Sequence, residues 1–592
     1  MFECYRFACA VPTCRTADLA YNSDRILELY DQAADNGASV VLFPALAVPG
    51  NGCGDLFDVP SFLSGVEQAV GKLAAATSGR SAVMVVGTVW RDAGKCVEAA
   101  AVISDGELIE VVTGDDVVFT NGKAGFTVSV NREPFAPASP VSPQAQVMLF
   151  PFAGSDTFHT VSERRTDAAA LSRTLKTHCI FCGSGATGST ASGVGAGQVI
   201  FAFDGKVTVE NKPFERKPQI VYCDIDTDDA DYLANRNMTE YDGEFESVEI
   251  KLTAAPDLRY YPVSSHPFIP QDDAECAEYA RSIIDISAAA LANRMELSHS
   301  RKMVLGVSGG LDSTMALITC VRCCELLDIP ASSIVAVSMP GFGTSDRTKD
   351  NSLALAELSG AEIRCIPISA AVTQHFADIG HDPSVTDVVY ENSQARERTQ
   401  ILMDIANGCS GLVIGTGDLS EIALGWCTYN GDQMSMYAVN AGIPKTLMRR
   451  IIAVHASGCP EKLAAVLLDV CDTPVSPELV PGKQHTEKII GSYDLHDFYI
   501  WHFIKYGASA EKLFSLACKA FEKVYDPGFC LEVLEVFFRR FFTSQFKRTA
   551  VPDSPDVTGV TLAPGAWNMP SDVSAAFWMA EVEELKKQVK NR

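Results

Sequence analysis

The sequence predicts an α/β protein of two domains, the second built on a doubly wound parallel sheet. Three observations carry this. Short β-rich runs alternate with amphipathic helical stretches over most of the chain, the pattern of sheets covered by helices. From residue 302 onward the strand runs are strongly apolar, separated by helices, and the first leads through a glycine turn into its helix. The stretch YYPVSSHPFIPQDD (260–273), rich in Pro and Ser, divides the two patterns. A chain of 592 residues is also too long for one hydrophobic core.

Taken in order, residues 1–262 form the first expected domain. FACAV and SVVLFPAL flank a helical pattern at 23–36. AVMVVGTVW, AAAVIS, GFTVSV, QVMLFPF, CIFCGSG, QVIFAF and IVYCDID read as further strands, with a helical stretch near 161–177. Residues 263–275 are expected as a linker and 276–592 as the second domain. A helix over 274–296 leads into KMVLGV, the glycine turn and a helix, then IVAVSMP, EIRCIPI and GLVIGTG with helices between them. From about 445 the chain is mostly helical and ends in a charged tail.

The net charge of −26 argues against sequence-independent binding to nucleic acid or to an anionic membrane, both of which need a basic surface. No apolar run approaches the ~20 residues needed to span a bilayer. The opening run MFECYRFACAVPTC reads as a strand rather than a signal peptide, so a cytoplasmic location is expected. The nineteen cysteines are odd in number and sit mostly in apolar runs, as reduced core thiols do. The C-x-x-C spacings Cys179/Cys182 and Cys320/Cys323 lack the turn chemistry of a zinc knuckle.

The chemistry is concentrated in Gly306-Val307-Ser308-Gly309-Gly310-Leu311-Asp312-Ser313. Glycines let backbone amides approach a phosphate, and the helix N-terminus adds partial positive charge. Ser308 and Ser313 supply hydroxyls, and Asp312 suits a metal ion beside phosphates. A Walker A loop is excluded because its G-x-x-x-x-G-K-[ST] pattern is absent here. SGGLDS resembles the pyrophosphate-binding loop of the ATP pyrophosphatase superfamily, the adenine nucleotide alpha hydrolase-like fold, whose members adenylate a substrate and release pyrophosphate.

Further motifs follow in order: Met339-Pro340-Gly341-Phe342, Tyr390-Glu391-Asn392-Ser393-Gln394-Ala395-Arg396, Gly415-Thr416-Gly417-Asp418-Leu419-Ser420-Glu421, Leu424-Gly425-Trp426-Cys427-Thr428-Tyr429, Asn440-Ala441-Gly442-Ile443-Pro444-Lys445 and Ser544-Gln545-Phe546-Lys547-Arg548. Over about 276–568 this series resembles glutamine-dependent NAD synthetase, the long two-domain form. The resemblance implies a nitrilase-like α-β-β-α sandwich in the N-terminal domain. It implies that Asp312 and Glu421 hold Mg2+ against ATP, that Thr416 contacts ATP, and that Lys445 and Lys547 neutralise phosphate charge. Asn392, Arg396 and Trp426, Cys427, Thr428 and Tyr429 would frame nicotinic acid adenine dinucleotide (deamido-NAD). It also implies a homo-oligomer.

The N-terminal domain departs from the pattern of the nitrilase-type amidase domain that it resembles. A nitrilase-type amidase uses a Glu base, a Lys for the oxyanion and a Cys nucleophile. The family's F-P-E-L is here Phe43-Pro44-Ala45-Leu46, with Ala45 at the base position. GELIEVV passes straight to TGDDVVF, so the loop carrying the lysine is missing; Lys123, in NGKAG, falls after it and has no claim to the role. The best match to the nucleophile pattern, Val128 to Pro137, puts Asn131 at the cysteine position. Cys53 follows the F-P motif and is expected to pack.

The expected function is therefore amidation of deamido-NAD to NAD with ATP and Mg2+, using free ammonia or ammonia from a separate glutaminase. Three alternatives stand beside it: glutamine hydrolysis by an unrecognised nucleophile, another adenylating amidotransferase such as GMP synthetase, and a non-catalytic nucleotide-binding scaffold.

Overall fold

Apolar runs without alternation, such as Tyr5–Val11, suit strands covered on both faces. The computed structural model, which describes residues 2–92, 94–114, 117–130, 145–191, 193–236, 246–476, 479–480 and 486–590, bears this out. The chain forms two units, 1–262 and 263–592. The first runs β1 (Tyr5–Val11), α1 (Leu19–Asp35), β2 (Val40–Leu42), α2 (Pro60–Ala76), β3 (Val83–Asp92), β4 (Lys95–Ser104), β5 (Glu107–Val112), β6 (Val117–Thr120) and β7 (Gly125–Val128). It continues with β8 (Val147–Phe152), α3 (Phe158–Leu175), β9 (His178–Gly183), β10 (Val199–Phe203), β11 (Lys206–Glu210), β12 (Gln219–Ile225), α4 (Thr227–Arg236) and β13 (Glu246–Glu249).

Among the described residues these strands form two sheets, β12-β1-β2-β3-β4-β5 and β11-β10-β9-β8-β7-β6-β13. Phe7, Val40, Val85 and Val102 of the first face Phe126, Leu149, Ile180 and Phe201 of the second. The other face of the first sheet packs Ala8, Val41 and Val86 on Ile26 and Tyr30 of α1 and Val66 and Val70 of α2. Phe150, Phe181 and Ile200 of the second sheet pack on Ala168 and Leu171 of α3. The layers are thus α-β-β-α, the sandwich the resemblance implies. Helix α2 was not expected from the sequence, because Gly65 and Gly71 lower its propensity. Its buried stripe of Leu63, Val66, Val70 and Leu73 outweighs them.

In the second unit, α5 (Asp273–Leu297) precedes β14 (Lys302–Gly306), α6 (Leu311–Leu327), β15 (Ile334–Ser338), α7 (Asp346–Leu358), β16 (Glu362–Cys365), α8 (Ser369–Ile379) and α9 (Val388–Cys409). Then come β17 (Gly411–Gly415), α10 (Leu419–Leu424), β18 (Tyr437–Ala438), α11 (Lys445–Ala456), α12 (Glu461–Cys471) and α13 (Thr486–Ile490). The chain closes with α14 (Tyr493–Tyr506), α15 (Ala510–Ala520), α16 (Pro527–Thr543), α17 (Gln545–Arg548) and α18 (Ala576–Lys590). The sheet order is β16-β15-β14-β17-β18, parallel throughout, the doubly wound arrangement expected. The chain leaves β14 towards one edge and returns through β17 on the other side. The crevice beyond the carboxyl ends of β14 and β17 is therefore the place where such folds bind ligands. Residues 263–272 lie on the second unit, with Phe268 edge-on to Trp501 at 4.8 Å and His266 Nε2 3.3 Å from Asp494.

Cys179 and Cys182 lie buried on β9, and Cys320 and Cys323 are buried on α6, as core thiols. No helix among the described residues is long and apolar enough to cross a membrane.

The helical end of this unit buries His502 with neither ring nitrogen hydrogen-bonded. Burial, with Lys512 and Lys505 adding to it, lowers its pKa to about 3. Above the unfolded value of 6.5 both states hold it neutral, so it contributes nothing to pH dependence there. As pH falls below that value the unfolded chain takes the proton first, and stability drops until the folded pKa is reached. His502→Phe is therefore expected to gain about 3 kcal/mol relative to the parent on going from about pH 7.5 to about pH 4.5. Urea unfolding of both proteins at the two pH values checks this; equal differences would contradict it.

Candidate active site

The turn after β14 is held by its own side chains. Ser308 Oγ lies 3.2 Å from Ser313 Oγ, accepts the Gly310 N–H at 3.3 Å, and Ser313 Oγ donates to the Gly310 carbonyl at 3.2 Å. Gly309 has φ of +80°, and a Cβ there would collide with the Thr348 carbonyl on the first turn of α7. Only glycine suits this position. Gly306, Ser308, Gly310, Leu311, Asp312 and Ser313 line a cavity of about 630 Å3. Gly309, expected among the ATP-contacting residues, is instead buried behind the turn against α7. Gly309→Ala is expected to destabilise the fold by about 1–3 kcal/mol through strain and collision, and to weaken ATP binding, as melting and titration calorimetry would read.

Across the crevice the residues after β17 meet this turn. Asn440 donates to the carbonyls of Asp312 at 2.8 Å and Thr416 at 3.0 Å, tying the two loops together. Lys445, at the start of α11, is buried with its ammonium 2.6 Å from Asp312, 2.6 Å from Asp418 and 3.0 Å from Glu421. The Asp418 contact is ionic; its Oδ2 is not aligned for a hydrogen bond. Its other oxygen caps α10 by accepting the Glu421 N–H at 2.8 Å. Burial opposes the Lys445 charge, but Asp312, Asp418 and Glu421 hold its pKa well above the usual lysine value. Burial pushes the Glu421 carboxyl up to about 7 against the pull of Lys445, and Asp418 well above its ordinary range.

Three carboxyl groups thus converge on one ammonium. Carboxylate oxygens of Asp312, Asp418 and Glu421 come within 4.8 Å of one another. Asp312 and Glu421 face the cavity and reach Lys445 through one oxygen each. Hard oxygen ligands beside a place for phosphates fit Mg2+. Asp418 stands in the GTGDLSE motif without a role that sequence alone assigns; the signal for it is its position as cap of α10.

The opposite wall is formed by Asn392 and Arg396 on α9 and by Trp426, Cys427, Thr428 and Tyr429. Thr428 donates to Asn392 Oδ1 at 2.8 Å, and Arg396 donates to the Tyr429 carbonyl at 3.3 Å. Arg540 lies 4.8 Å over the Trp426 ring. Burial pushes the Cys427 thiol up to about 12, so it is a neutral wall group. Lys547 differs from its expected role of neutralising phosphate: its ammonium donates to the carbonyls of Gly425 at 2.7 Å and Cys427 at 2.6 Å. It braces the loop carrying Trp426 and Tyr429. Lys445 likewise has its charge engaged by carboxylates rather than open to a phosphate.

In the first unit, Ala45 is buried after β2 in a loop packed so closely on β3 that a Cβ on Gly87 would collide with it. The thiol of Cys53 points to the carbonyls of Pro49 and Gly50, both at 3.3 Å, and burial raises its pKa. It packs, as expected. Lys123 is exposed and paired with Glu3 at 3.0 Å. β5 ends at Val112 and β6 begins at Val117, so four residues of sequence join them. Asn131 lies outside the described residues, but the sequence from Val97 to His178 contains no cysteine.

A parallel sheet that presents a glycine turn, a buried lysine and three carboxylates at its switch point is the arrangement of an α/β enzyme with its ligand site at the carboxyl ends of the strands. The NAD synthase family model matches residues 283–526. Glutamine-dependent NAD(+) synthetase of Mycobacterium tuberculosis (strain H37Rv) is 31% identical over 96% of this chain and 96% of that one, and the Mycobacterium leprae protein of the same name matches at the same identity and coverage. The chain belongs to the glutamine-dependent NAD(+) synthetase family. A solved glutamine-dependent NAD(+) synthetase from Cytophaga hutchinsonii aligns with 98% of this chain and 100% of that chain, at 16% identity and a TM-score of 0.42.

Proposed function

We propose that this chain amidates deamido-NAD to NAD, consuming ATP and taking its nitrogen from ammonia rather than from glutamine. The observation that carries the reading is the single cavity lined by the SGGLDS turn, by Asp312, Glu421 and Lys445, and by the Trp426–Tyr429 wall. The turn's amides bind the polyphosphate of ATP. Asn392, Arg396 and the Trp426–Tyr429 loop hold the dinucleotide so that its nicotinate carboxylate faces the α-phosphorus. That carboxylate attacks, the bond to the β-phosphate oxygen breaks, and pyrophosphate leaves with the bonding pair. Ammonia then adds to the acyl-adenylate carbonyl and gives up a proton to water, and AMP departs with the electron pair of its bond to the carbonyl carbon. Asp312 and Glu421 would hold Mg2+, which when bound neutralises phosphate charge. Lys445 keeps the carboxylates converged, so positioning and electrostatics supply most of the rate.

The ammonia part of the reading rests on the chain's own residues: Ala45 has no proton acceptor, no cysteine lies near Asn131 in sequence, and the lysine loop is absent. The relatives' name includes glutamine, and their nitrogen source is theirs. The test is to follow AMP and pyrophosphate with ammonium present, with and without deamido-NAD. One AMP per NAD, dependent on the dinucleotide, is expected. Release without dinucleotide, or with GMP-precursor XMP in its place, would contradict the reading.

A further inference from the structure

Six cationic side chains line the cavity: Lys349, Arg396, Arg398, Lys445, Arg540 and Lys547. Five are engaged by the protein itself. Lys445 is bound by carboxylates, Lys547 by two carbonyls, Arg396 by the Tyr429 carbonyl, Arg398 by the Met339 carbonyl at 3.2 Å and Arg540 by the Leu424 carbonyl at 3.2 Å. Among the described residues the Lys349 ammonium makes no hydrogen bond and no ion pair. It stands on the first turn of α7, the turn whose Thr348 carbonyl and Ser352 amide abut Gly309. The half-buried Lys349 is therefore held beside the glycine turn with no partner for its charge among the described residues.

A lysine that lines a cavity beside a glycine turn, with no partner among the described residues, is matched by an anion supplied by the ligand. The Lys445 ammonium on the other side is already engaged by carboxyl groups, so the polyphosphate needs a cation from this direction. We propose that Lys349 contacts the β- and γ-phosphoryl groups of ATP and then the pyrophosphate that leaves. It donates hydrogen bonds to the oxygens that gain charge when the bond between the α-phosphorus and the bridging oxygen breaks. The assignment rests on the reading of this cavity as the ATP site and adds the residue that selects a triphosphate over a nucleoside monophosphate.

The test uses the full chain as K349M and K349R, with binding of Mg-ATP, inorganic pyrophosphate and deamido-NAD measured separately by calorimetry. K349M is expected to weaken ATP and pyrophosphate by about 10- to 100-fold, the range of a charge-assisted hydrogen bond. Deamido-NAD binding stays within about twofold, and K349R recovers most of the loss, because charge and reach are kept. In turnover with ammonium, the KM for ATP rises while that for deamido-NAD does not. Unchanged ATP and pyrophosphate affinity in K349M would overturn the assignment to Lys349 and leave the function standing. Equal weakening of all three ligands would also overturn it, as a structural effect. Absence of ATP binding in the parent protein would overturn the reading of the cavity itself, and this assignment with it.

Discussion

Supplied with ATP, deamido-NAD and glutamine, the protein is expected to release glutamate no faster than background while it makes NAD readily from ammonium. Amide cleavage at a nitrilase-type site needs a thiolate, a base to form it and a donor for the oxyanion. Ala45 cannot take a proton, and the first unit's described Cys14 and Cys53 thiols are both raised in pKa by burial. Lys123 is exposed and held by Glu3. Groups that act as a unit are lost together rather than by degrees. Ala45→Glu or Asn131→Cys alone should therefore recover nothing, and the double change should also fail without a lysine. Glutamate formed in step with NAD and blocked by a thiol alkylator would contradict this.

The second large effect is on synthesis itself. Asp312→Asn and Glu421→Gln are each expected to lower the rate of NAD formation at least about 100-fold, because each removes charge from a preorganised site beside a polyphosphate. Both variants should stay folded, since Lys445 keeps two carboxylate partners in either case. Lys445→Met should behave differently. It strands three carboxylates without their cation, and breaking such a buried arrangement costs about 3–5 kcal/mol. Chemical unfolding separates the two outcomes. Normal turnover of either carboxylate variant at saturating Mg2+ would remove that residue from the site.

Much of this was legible in the sequence, for reasons that differ by residue. SGGLDS announced itself because a turn of φ-positive glycine between an apolar strand and a helix admits few residue types, and Gly309 against Thr348 is the physical source of that restriction. Asp312, Glu421 and Lys445 were legible because each belongs to a motif at the carboxyl edge of a strand or the start of a helix. What each charge faces was not legible. Spacing says nothing of the fact that Lys445 turns inward to three carboxylates while Lys547 turns to the carbonyls of Gly425 and Cys427. Those contacts are fixed by long-range packing of α11 and α17. Asp418 and Lys349 passed unassigned for the same reason: a capping aspartate and a helix lysine are ordinary in sequence, and only the assembled crevice gives them neighbours. In the first unit the apolar strands were readable, but α2, with two glycines, depends on its buried face rather than on propensity.

The most direct test of the account is the origin of the carboxamide nitrogen of the NAD formed. The purified full chain is given ATP, Mg2+ and deamido-NAD with heavy-nitrogen ammonium and ordinary glutamine together, and the mass of the NAD is read. The account predicts that all of it carries the heavy isotope. NAD bearing the light nitrogen of glutamine, or no NAD at all, would contradict it.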